Sequence, residues 1–311
     1  MTLVPSYYKK FRCIADKCTH NCCIGWEIDI DSDTLSKYEK LDFETSSNIL
    51  EHVEYDGDTC HFKLACDERC SLLRDDNLCR LICEFGEDAL CDICSEHPRY
   101  RNYFGDREEI GLGLSCEEAA RIILSYPEKV KFESYGDNDV DNDISKCDLI
   151  NDRSEVLSII QDRKLSISER ITRVSEYLDA SLPYSELSSW CDFFLSLERL
   201  DEKWTKVLDE IKKLSFKDIT EVPYCKNELA AEQLLVYFIC RHYIASDEGN
   251  NISDVFRLGY LSTAMIFSAA EVVCDNFENR FDALCEAARM YSSEVEYSTD
   301  NTDEVLFELS F

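Results

Sequence analysis

The sequence is poor in glycine, and its glycines do not form a nucleotide-binding motif. Only nine of the 311 residues are glycine. The single G-x-G, Gly111-Leu112-Gly113, lacks the later glycine that would open a helix, and no strand–helix–strand alternation surrounds it. We therefore do not expect a doubly wound sheet that holds a nucleotide-like cofactor on a glycine-rich turn.

Long uninterrupted apolar stretches are also missing. The first residues, MTLVPSYYKKF, contain no apolar segment of the length found in signal peptides. The most apolar run, residues 258–274, is interrupted by serine, threonine and Glu271, so it predicts a buried helix rather than a membrane span. We expect no membrane association and a cytoplasmic location, in which thiols stay reduced.

Positive charge is scarce. The chain has 33 lysines and arginines against 64 aspartates and glutamates, which gives a formal net charge of −31. A surface this acidic repels phosphate backbones, so nucleic acid is not expected as a partner. Such a surface would attract a basic partner, such as a lysine-bearing protein. Simple solubility explains the charge equally well.

Cysteine, by contrast, is abundant. The chain has 18 cysteines, and twelve of them lie between residues 13 and 116. In a reducing compartment such a cluster indicates metal binding or catalysis rather than disulfides. The remaining cysteines occur singly in apolar surroundings, which predicts small core residues: Cys147, Cys191, Cys225, Cys240, Cys274 and Cys285.

The spacing of the clustered cysteines bears on which metal they would bind. It runs Cys13-x4-Cys18-x3-Cys22-Cys23, followed by Cys70-x8-Cys79 and Cys94-x21-Cys116. Structural zinc sites usually show paired C-x2-C knuckles, and only Cys91-x2-Cys94 has that spacing. The irregular gaps and the scarcity of histidine favour an iron–sulfur cluster over zinc. Zinc and the absence of any metal stay open as alternatives.

Periodicity and composition predict a mostly α protein. An irregular, cysteine-rich, metal-binding domain with a few short strands is expected over residues 1–132. Residues 133–152 are acidic and have little apolar content, which is typical of a solvated linker. Residues 153–311 are expected to form a C-terminal helical bundle on which the first domain packs. Its centre should be residues 229–245 and 258–274, which are apolar almost all round.

Local patterns add more specific expectations. Residues 25–31, GWEIDID, alternate apolar and acidic side chains and predict a short strand, and SDTLSKYEKL after them predicts a helix. Residues 108–127 predict a strand that leads into a helix. Three capping boxes are predicted, at Ser115/Glu118, Asp152/Glu155 and Ser166/Glu169.

No catalytic residue can be assigned from these patterns. The pairs Asp29/Asp31 and Tyr7/Tyr8 flank the cysteine cluster, and we interpret them as a helix N-cap and as ordinary packing. His242 stands alone, and we interpret it as a core or surface histidine rather than a ligand.

Several segments, taken together, resemble the flagellin lysine-N-methylase (FliB-type) family. They are RCIADKCTHNCCIGWEIDID, CSLL, NLCRL, DICSEHPRY and LSCEEAARIIL, in the order and at the separations found in that family. The resemblance covers most of residues 7–125. Glu117 stands where the family tends to have proline, a mild departure because proline at the start of a helix is replaceable.

The resemblance implies a function and a set of site residues. The expected activity is methylation of lysine side chains of flagellin, with S-adenosylmethionine as methyl donor. The centre would be an iron–sulfur cluster, [4Fe–4S] by preference, or zinc. By its own chemistry, Arg99 could hold the donor's carboxylate or a cluster charge, and a surface salt bridge is an equal alternative. The positions that match the family's cysteines are Cys13, Cys18, Cys22, Cys23, Cys70, Cys79, Cys94 and Cys116.

A non-enzymatic protein is the alternative function. The same cysteines would serve an iron–sulfur redox sensor, or an interaction module stabilised by iron–sulfur or zinc. The extra cysteines are outside the family pattern and are not expected to be primary ligands: Cys60, Cys66, Cys83 and Cys91.

Overall fold

The computed structural model describes residues 1–57, 59–65, 68–136, 148–243 and 251–310, without the side chains of residues 148–151. The chain forms two compact units. The cysteine unit is Arg12–Arg99, and the helical unit combines Met1–Phe11 with Tyr100–Phe311. This division differs from the predicted boundaries at residues 132 and 153, because the first strand of the chain pairs with strands that follow the cysteine unit.

A four-stranded sheet joins the two chain segments of the helical unit. Its strands are β1 (Thr2–Pro5), β4 (Arg99–Phe104), β5 (Arg107–Leu112) and β6 (Phe132–Ser134), in the order β4-β5-β1-β6. Strand β1 runs parallel to β5 and antiparallel to β6. Gly105 has a φ of +58° in the two-residue loop between β4 and β5, a conformation that glycine adopts without strain.

Nine α-helices make up most of the described part of the helical unit. They are α5 (Glu117–Leu124), α6 (Asp148–Ile160), α7 (Ile167–Leu178), α8 (Leu187–Ser196), α9 (Glu202–Ile211), α10 (Glu228–His242), α11 (Ile252–Val273), α12 (Arg280–Tyr291) and α13 (Thr299–Leu309). A π-helical turn, Ser292–Glu296, lies between α12 and α13. The prediction of a mostly α protein with a few short strands is confirmed.

Helices α10 and α11 are the most deeply buried part of this unit, as their apolar sequences predicted. Eleven consecutive residues of α10, from Ala230 to Cys240, are buried. The segment Ile252–Asn276 is long and apolar enough to cross a membrane, but 78% of its most apolar window is buried inside the protein. That burial is typical of a core helix, whose apolar faces are covered by neighbouring helices.

The cysteine unit contains short elements joined by loops. They are α1 (Ser32–Glu39), α2 (Phe43–Leu50), β2 (Val53–Asp56), β3 (Thr59–Phe62), α3 (Arg80–Phe85) and α4 (Asp92–Glu96). Strands β2 and β3 form an antiparallel hairpin. A small core of its own includes Tyr38, Phe62, Leu81 and the cysteines Cys60, Cys70 and Cys91.

Some local expectations hold in the structure. Asp31 is the N-cap of α1, because its carboxylate accepts a hydrogen bond from the Thr34 N–H at 2.8 Å. The capping box at Ser166/Glu169 is present at the start of α7. Of the predicted core cysteines in the described residues, Cys191, Cys240 and Cys285 are buried, whereas Cys274 is half-buried and Cys225 is exposed, so the prediction is wrong for Cys225.

Other local expectations are wrong. Residues 25–31 do not form a strand: they contribute a single bridge residue, Asp29, opposite His61. The N-cap of α5 is Cys116 rather than Ser115, and Glu118 binds Arg121 on its own helix instead of closing a box. Asp152 lies inside α6, which begins at Asp148. Residues 137–147 of the predicted linker, including Cys147, lie outside the described residues.

Candidate functional site

Six cysteines of the cysteine unit come from three separate stretches of chain. Cys22 and Cys23 lie in the turn before α1, Cys70 and Cys79 lie between β3 and α3, and Cys91 and Cys94 lie at the start of α4. Backbone pairing fixes the first two stretches together, because the Cys70 N–H donates to the Cys23 carbonyl at 2.8 Å. We call these six residues the thiol group: Cys22, Cys23, Cys70, Cys79, Cys91 and Cys94.

Two pairs within the thiol group are hydrogen-bonded through their sulfurs. The Cys23 thiol donates to Cys22, which outweighs burial and lowers the pKa of Cys22 to about 7. Cys94 donates to Cys91 in the same way, and the pKa of Cys91 is also lowered. In each pair one sulfur therefore loses its proton more readily than an ordinary thiol, and the thiolate is the form that binds metal.

Cys23 and Cys94, the thiols that donate in these two pairs, also interact electrostatically with the remaining cysteines. The pKa of Cys23 is raised by its hydrogen bond to Cys22, then by burial and by the neighbouring Cys22, Cys79 and Cys70. The pKa of Cys94 is raised by its bond to Cys91, then by burial and by Cys91, Cys79 and Cys70. Negative charges on these sulfurs repel one another, so a bound cation would relieve the repulsion and favour full ionisation.

Backbone N–H groups point at three of the sulfurs. The Cys70 sulfur accepts from the N–H groups of Leu72 and Leu73, although burial has the larger effect and raises its pKa. The Cys79 sulfur accepts from Leu81 and Ile82 in the first turn of α3, again against burial.

At Cys91 the backbone N–H of Cys94 supplements the thiol hydrogen bond. The sulfurs of Cys70, Cys79 and Cys91 thus each accept a hydrogen bond from a backbone N–H two or three positions further along the chain. Such bonds stabilise a thiolate and tune a metal bound to it.

Tyr38 lies near cysteines of the thiol group, and the sequence analysis did not identify it as a site residue. Its side chain is buried, and its hydroxyl donates to the Ala89 carbonyl at 2.6 Å. Burial raises the pKa of Tyr38, and the nearby Cys91 and Cys94 raise it further. A neutral phenol in this position excludes water from the thiol group without adding charge.

The other predicted metal residues lie in different surroundings. Cys13 is exposed and accepts the Ala15 N–H at 3.4 Å, and Cys18 donates to the His20 carbonyl at 3.1 Å. Cys116 belongs to the helical unit, where it precedes α5. The role of Cys13, Cys18 and Cys116 as ligands stays a prediction. Cys66, which was not expected to be a primary ligand, lies outside the described residues.

Arg99, the predicted donor-binding residue, is half-buried at the end of the cysteine unit. Its guanidinium donates to the Ser95 carbonyl at 3.2 Å. Burial, and then the charge of Arg99, lowers the pKa of His97 to about 4. The His97 ring packs edge-on against Trp26, whose indole N–H donates to the Cys22 carbonyl at 2.6 Å.

The donor set fits a thiolate-binding metal centre by its chemistry. It consists of sulfur ligands with N–H donors directed at them, which is the environment of iron–sulfur clusters and of zinc sites. In the described ranges, no three His, Cys, Asp or Glu side chains are already positioned to hold a metal ion. The sulfurs would therefore have to move together on binding, as is common when metal binding is coupled to folding.

The structure brings Cys91 into the thiol group, whereas the family pattern left it out. Its side chain is fully buried and is hydrogen-bonded to Cys94. The C-x2-C spacing was the feature of the sequence that could have indicated it, because residues at that separation meet in one turn.

Comparison with known proteins identifies relatives named as a flagellar biosynthetic protein and as lysine-N-methylases. A stretch of 130 residues, 40% of the chain, is 29% identical to the flagellar biosynthetic protein FliU of Salmonella muenchen and covers 77% of that protein. Stretches of the same length are 29% and 28% identical to the lysine-N-methylases of Salmonella typhimurium and Salmonella choleraesuis, of which they cover 32%. No protein-family model and no solved structure matches the chain.

These relatives define the class to which the chain is similar. The resemblance to the FliB-type lysine-N-methylases, which the cysteine pattern predicted, is confirmed. The matched stretch spans about a third of the length of the two lysine-N-methylases, so their activity is not transferred to this chain by similarity alone.

Proposed function

We propose that the protein is a lysine N-methyltransferase that modifies flagellin side chains with S-adenosylmethionine as methyl donor. The observation that carries the proposal is the similarity to two proteins named lysine-N-methylase. The similarity to FliU, a flagellar biosynthetic protein, supports flagellin as the substrate. We further propose that the protein acts in the cytoplasm.

The methyl transfer itself makes two demands on the chain. The lysine nitrogen must lose a proton before its lone pair can attack, because its unperturbed pKa is about 10.4. The donor must be held beside it in a water-poor site. The glycine-rich turn of doubly wound methyltransferases is missing from the sequence, so the donor site is of another kind.

We propose that the thiol group holds an iron–sulfur cluster, with zinc as the alternative ion. Its six sulfurs supply the ligands, and the N–H groups of Leu72, Leu81 and their neighbours orient them. Cys13 and Cys18, which belong to the same unit, complete the proposed ligand set. A bound cluster would supply an iron position able to coordinate the amino-acid part of the donor, or a cross-link that stiffens this loop-rich unit.

The test begins with protein purified without oxygen. Iron, sulfide and zinc are quantified, and the visible spectrum is recorded before and after addition of S-adenosylmethionine. The protein is then incubated with flagellin and donor carrying a labelled methyl group, and modified lysines are located by mass spectrometry. Flagellin whose lysines have been chemically dimethylated beforehand is the matched control. We expect label on untreated flagellin only, and absence of label there would refute the proposed activity.

A non-enzymatic metalloprotein is the second candidate. One observation favours it. The matched stretch spans 77% of FliU, whose name states no enzymatic activity, but only 32% of the lysine-N-methylases. This candidate predicts metal binding without affinity for the donor. Calorimetric titration with S-adenosylmethionine separates the two: measurable binding supports the enzyme, and its absence from metal-replete protein supports the module. Brown colour identifies iron–sulfur, and a colourless protein that contains zinc identifies zinc.

A further inference from the structure

The helical unit contains a buried carboxylate that the cysteine chemistry does not use. Glu296 ends the π-helical turn Ser292–Glu296, and only 1% of its side chain is exposed. Single π-helical turns inside helical segments occur frequently at functional sites, because they redirect one side chain out of the helical repeat.

Three side chains of α10 converge on this carboxylate. The Arg241 Nε lies 3.0 Å from Glu296 Oε1, and the His242 Nε2 lies 2.7 Å from the same oxygen. The Tyr237 hydroxyl donates to Oε2 at 3.0 Å. Burial acts to raise the pKa of Glu296, but Arg241 and His242 together hold it below its ordinary value. The carboxylate is therefore ionised inside the fold.

Arg241 is fixed in place and fully engaged. Its guanidinium lies over the rings of Tyr100, Tyr237 and Tyr297, at 5.1 to 5.9 Å from their centroids. A second nitrogen of Arg241 donates to the Tyr237 hydroxyl at 2.9 Å. Stacking and charge pairing of this kind immobilise a guanidinium, so Arg241 serves to hold the carboxylate rather than to exchange protons.

His242 differs from Arg241 because, within the part of the chain that the structure describes, only one of its ring nitrogens is hydrogen-bonded. A carboxylate only accepts hydrogen bonds, so Nε2 carries the hydrogen of this bond, and in the neutral form of the ring Nδ1 carries the lone pair. Nδ1 makes no hydrogen bond to any residue that the structure describes. The ring stacks on Phe238 at 6.0 Å and 16°, and 11% of the side chain is exposed. An imidazole oriented by a buried carboxylate is an established arrangement for a general base.

We propose that His242, positioned by Glu296, accepts the proton of the substrate lysine. This inference rests on the proposed methyltransferase function. Nδ1 takes one proton from the lysine ammonium, which becomes a neutral amine, and the imidazolium is stabilised through its Nε2–H by Glu296. The amine lone pair then bonds to the methyl carbon while the carbon–sulfur bond of S-adenosylmethionine breaks. The bonding electrons leave with sulfur, which gives neutral S-adenosylhomocysteine and a methylated ammonium.

The experiment compares H242Q with the unaltered protein across a pH range. Glutamine keeps an N–H donor for Glu296 but cannot accept the proton. We expect H242Q to lower methyl transfer at neutral pH by about 10²-fold or more, with donor affinity and melting temperature unchanged. The deficit should shrink as pH rises toward the lysine pKa of about 10.4, because more lysine then arrives already neutral.

Two further variants make the test specific. H61Q makes the same chemical change on β3 of the cysteine unit and should leave the rate unchanged. H242N is measured alongside H242Q, so that if one variant misfolds, the other still tests whether His242 is the base. Among the described residues, Glu296 bonds His242 directly, Arg241 and Tyr237 bond the same carboxylate, and none of these three is altered.

Each outcome decides the proposal. An equal loss of rate at every pH would show a structural role and overturn the proposal, as would an unchanged rate. If the unaltered protein binds S-adenosylmethionine but methylates no lysine, the proposed function fails and the base assignment fails with it. If the unaltered protein is active and only the pH pattern is absent, the base assignment alone fails.

Discussion

Cys91 is the residue whose loss should most directly affect the thiol group. It is fully buried, and it receives a thiol and a backbone N–H from Cys94. Serine at this position has nearly the same size but does not ionise to a soft anionic ligand. We expect C91S protein to retain clearly less iron and visible absorbance after gel filtration.

The matched control for this prediction is C225S. Cys225 is an exposed free thiol in the helical unit, so its replacement should leave the metal content unchanged. Full iron and sulfide content in the C91S protein would show that Cys91 is not a ligand.

Gly111 is a second residue with a specific requirement. A Cβ atom at this position would lie 2.2 Å from the ring of Tyr100. That ring is also held by Arg241 and packs edge-on against Tyr237, so it cannot move away freely. We expect G111A to lower the free energy of unfolding by about 1–3 kcal/mol through overpacking, measured by urea unfolding.

The control substitution for Gly111 is G259A on α11. There the nearest atom is 3.2 Å away, and alanine gains about 1 kcal/mol of helix propensity. The G259A protein should therefore be close to the unaltered protein in stability. Equal stability of G111A and the unaltered protein would mean that Tyr100 is not held in place.

The π-helical turn predicts a pH dependence with a definite sign. The pKa of Glu296 is depressed in the folded protein, so its carboxylate stabilises the fold above the unfolded pKa and loses that effect as pH falls through the folded value. E296Q should cost about 3–5 kcal/mol at neutral pH, because it leaves Arg241 buried without a counter-charge. The difference from the unaltered protein should shrink below pH about 4.3.

Glu294 in the same turn provides a control, because its pKa is shifted in the opposite direction. Burial raises its pKa, although its carboxylate accepts the N–H groups of Leu200 and Asp201. Relative to E294Q, the unaltered protein should therefore gain stability as pH falls. Urea unfolding of the three proteins from neutral pH down to about 3.5 would measure both trends. Parallel curves for E296Q and E294Q would contradict the assignment.

Elements were predictable from the sequence where one local property decided their structure. Helices α10 and α11 were found because they are apolar on nearly every face, and Asp31 was expected at the N-terminus of α1. Residues 25–31 show why alternation alone is insufficient. Their alternation of apolar and acidic residues suits a strand, but only Asp29 finds a bridge partner, so no strand forms.

Features that depend on distant residues were not predictable. The carboxylate partner of His242 is 54 positions away, in a π-helical turn that no local pattern indicated. The boundaries of the units depended on β1, a four-residue strand whose partners follow the cysteine unit. The candidate cysteines were visible from the sequence, whereas the two sulfur–sulfur hydrogen bonds that connect them required the structure.

At the scale of the whole molecule, the two units have separate hydrophobic cores and should respond differently to metal removal. The three tryptophans report on them separately. Trp26 lies in the cysteine unit and donates to the Cys22 carbonyl, whereas Trp190 and Trp204 are buried in the helical unit. With 5-fluorotryptophan incorporated, we expect a chelator to shift the fluorine resonance of Trp26 and to leave the other two in place.

The matched control is C91S protein treated with the same chelator. Having lost metal already, it should show the shifted Trp26 resonance before treatment and no change afterwards. Movement of all three resonances in the unaltered protein would show that metal removal unfolds the helical unit as well.

The position of β1 in the chain also affects the order in which the two units can fold during synthesis. Strand β1 leaves the ribosome before its partners β5 and β6, which end near residues 112 and 134. At roughly 5–20 residues per second, the strand waits about 7 to 27 s for the later partner to be translated. The cysteine unit is contiguous in sequence and is complete earlier, at Arg99. The thiols of this unit are therefore synthesised, and able to take up the proposed metal, while β1 is still unpaired.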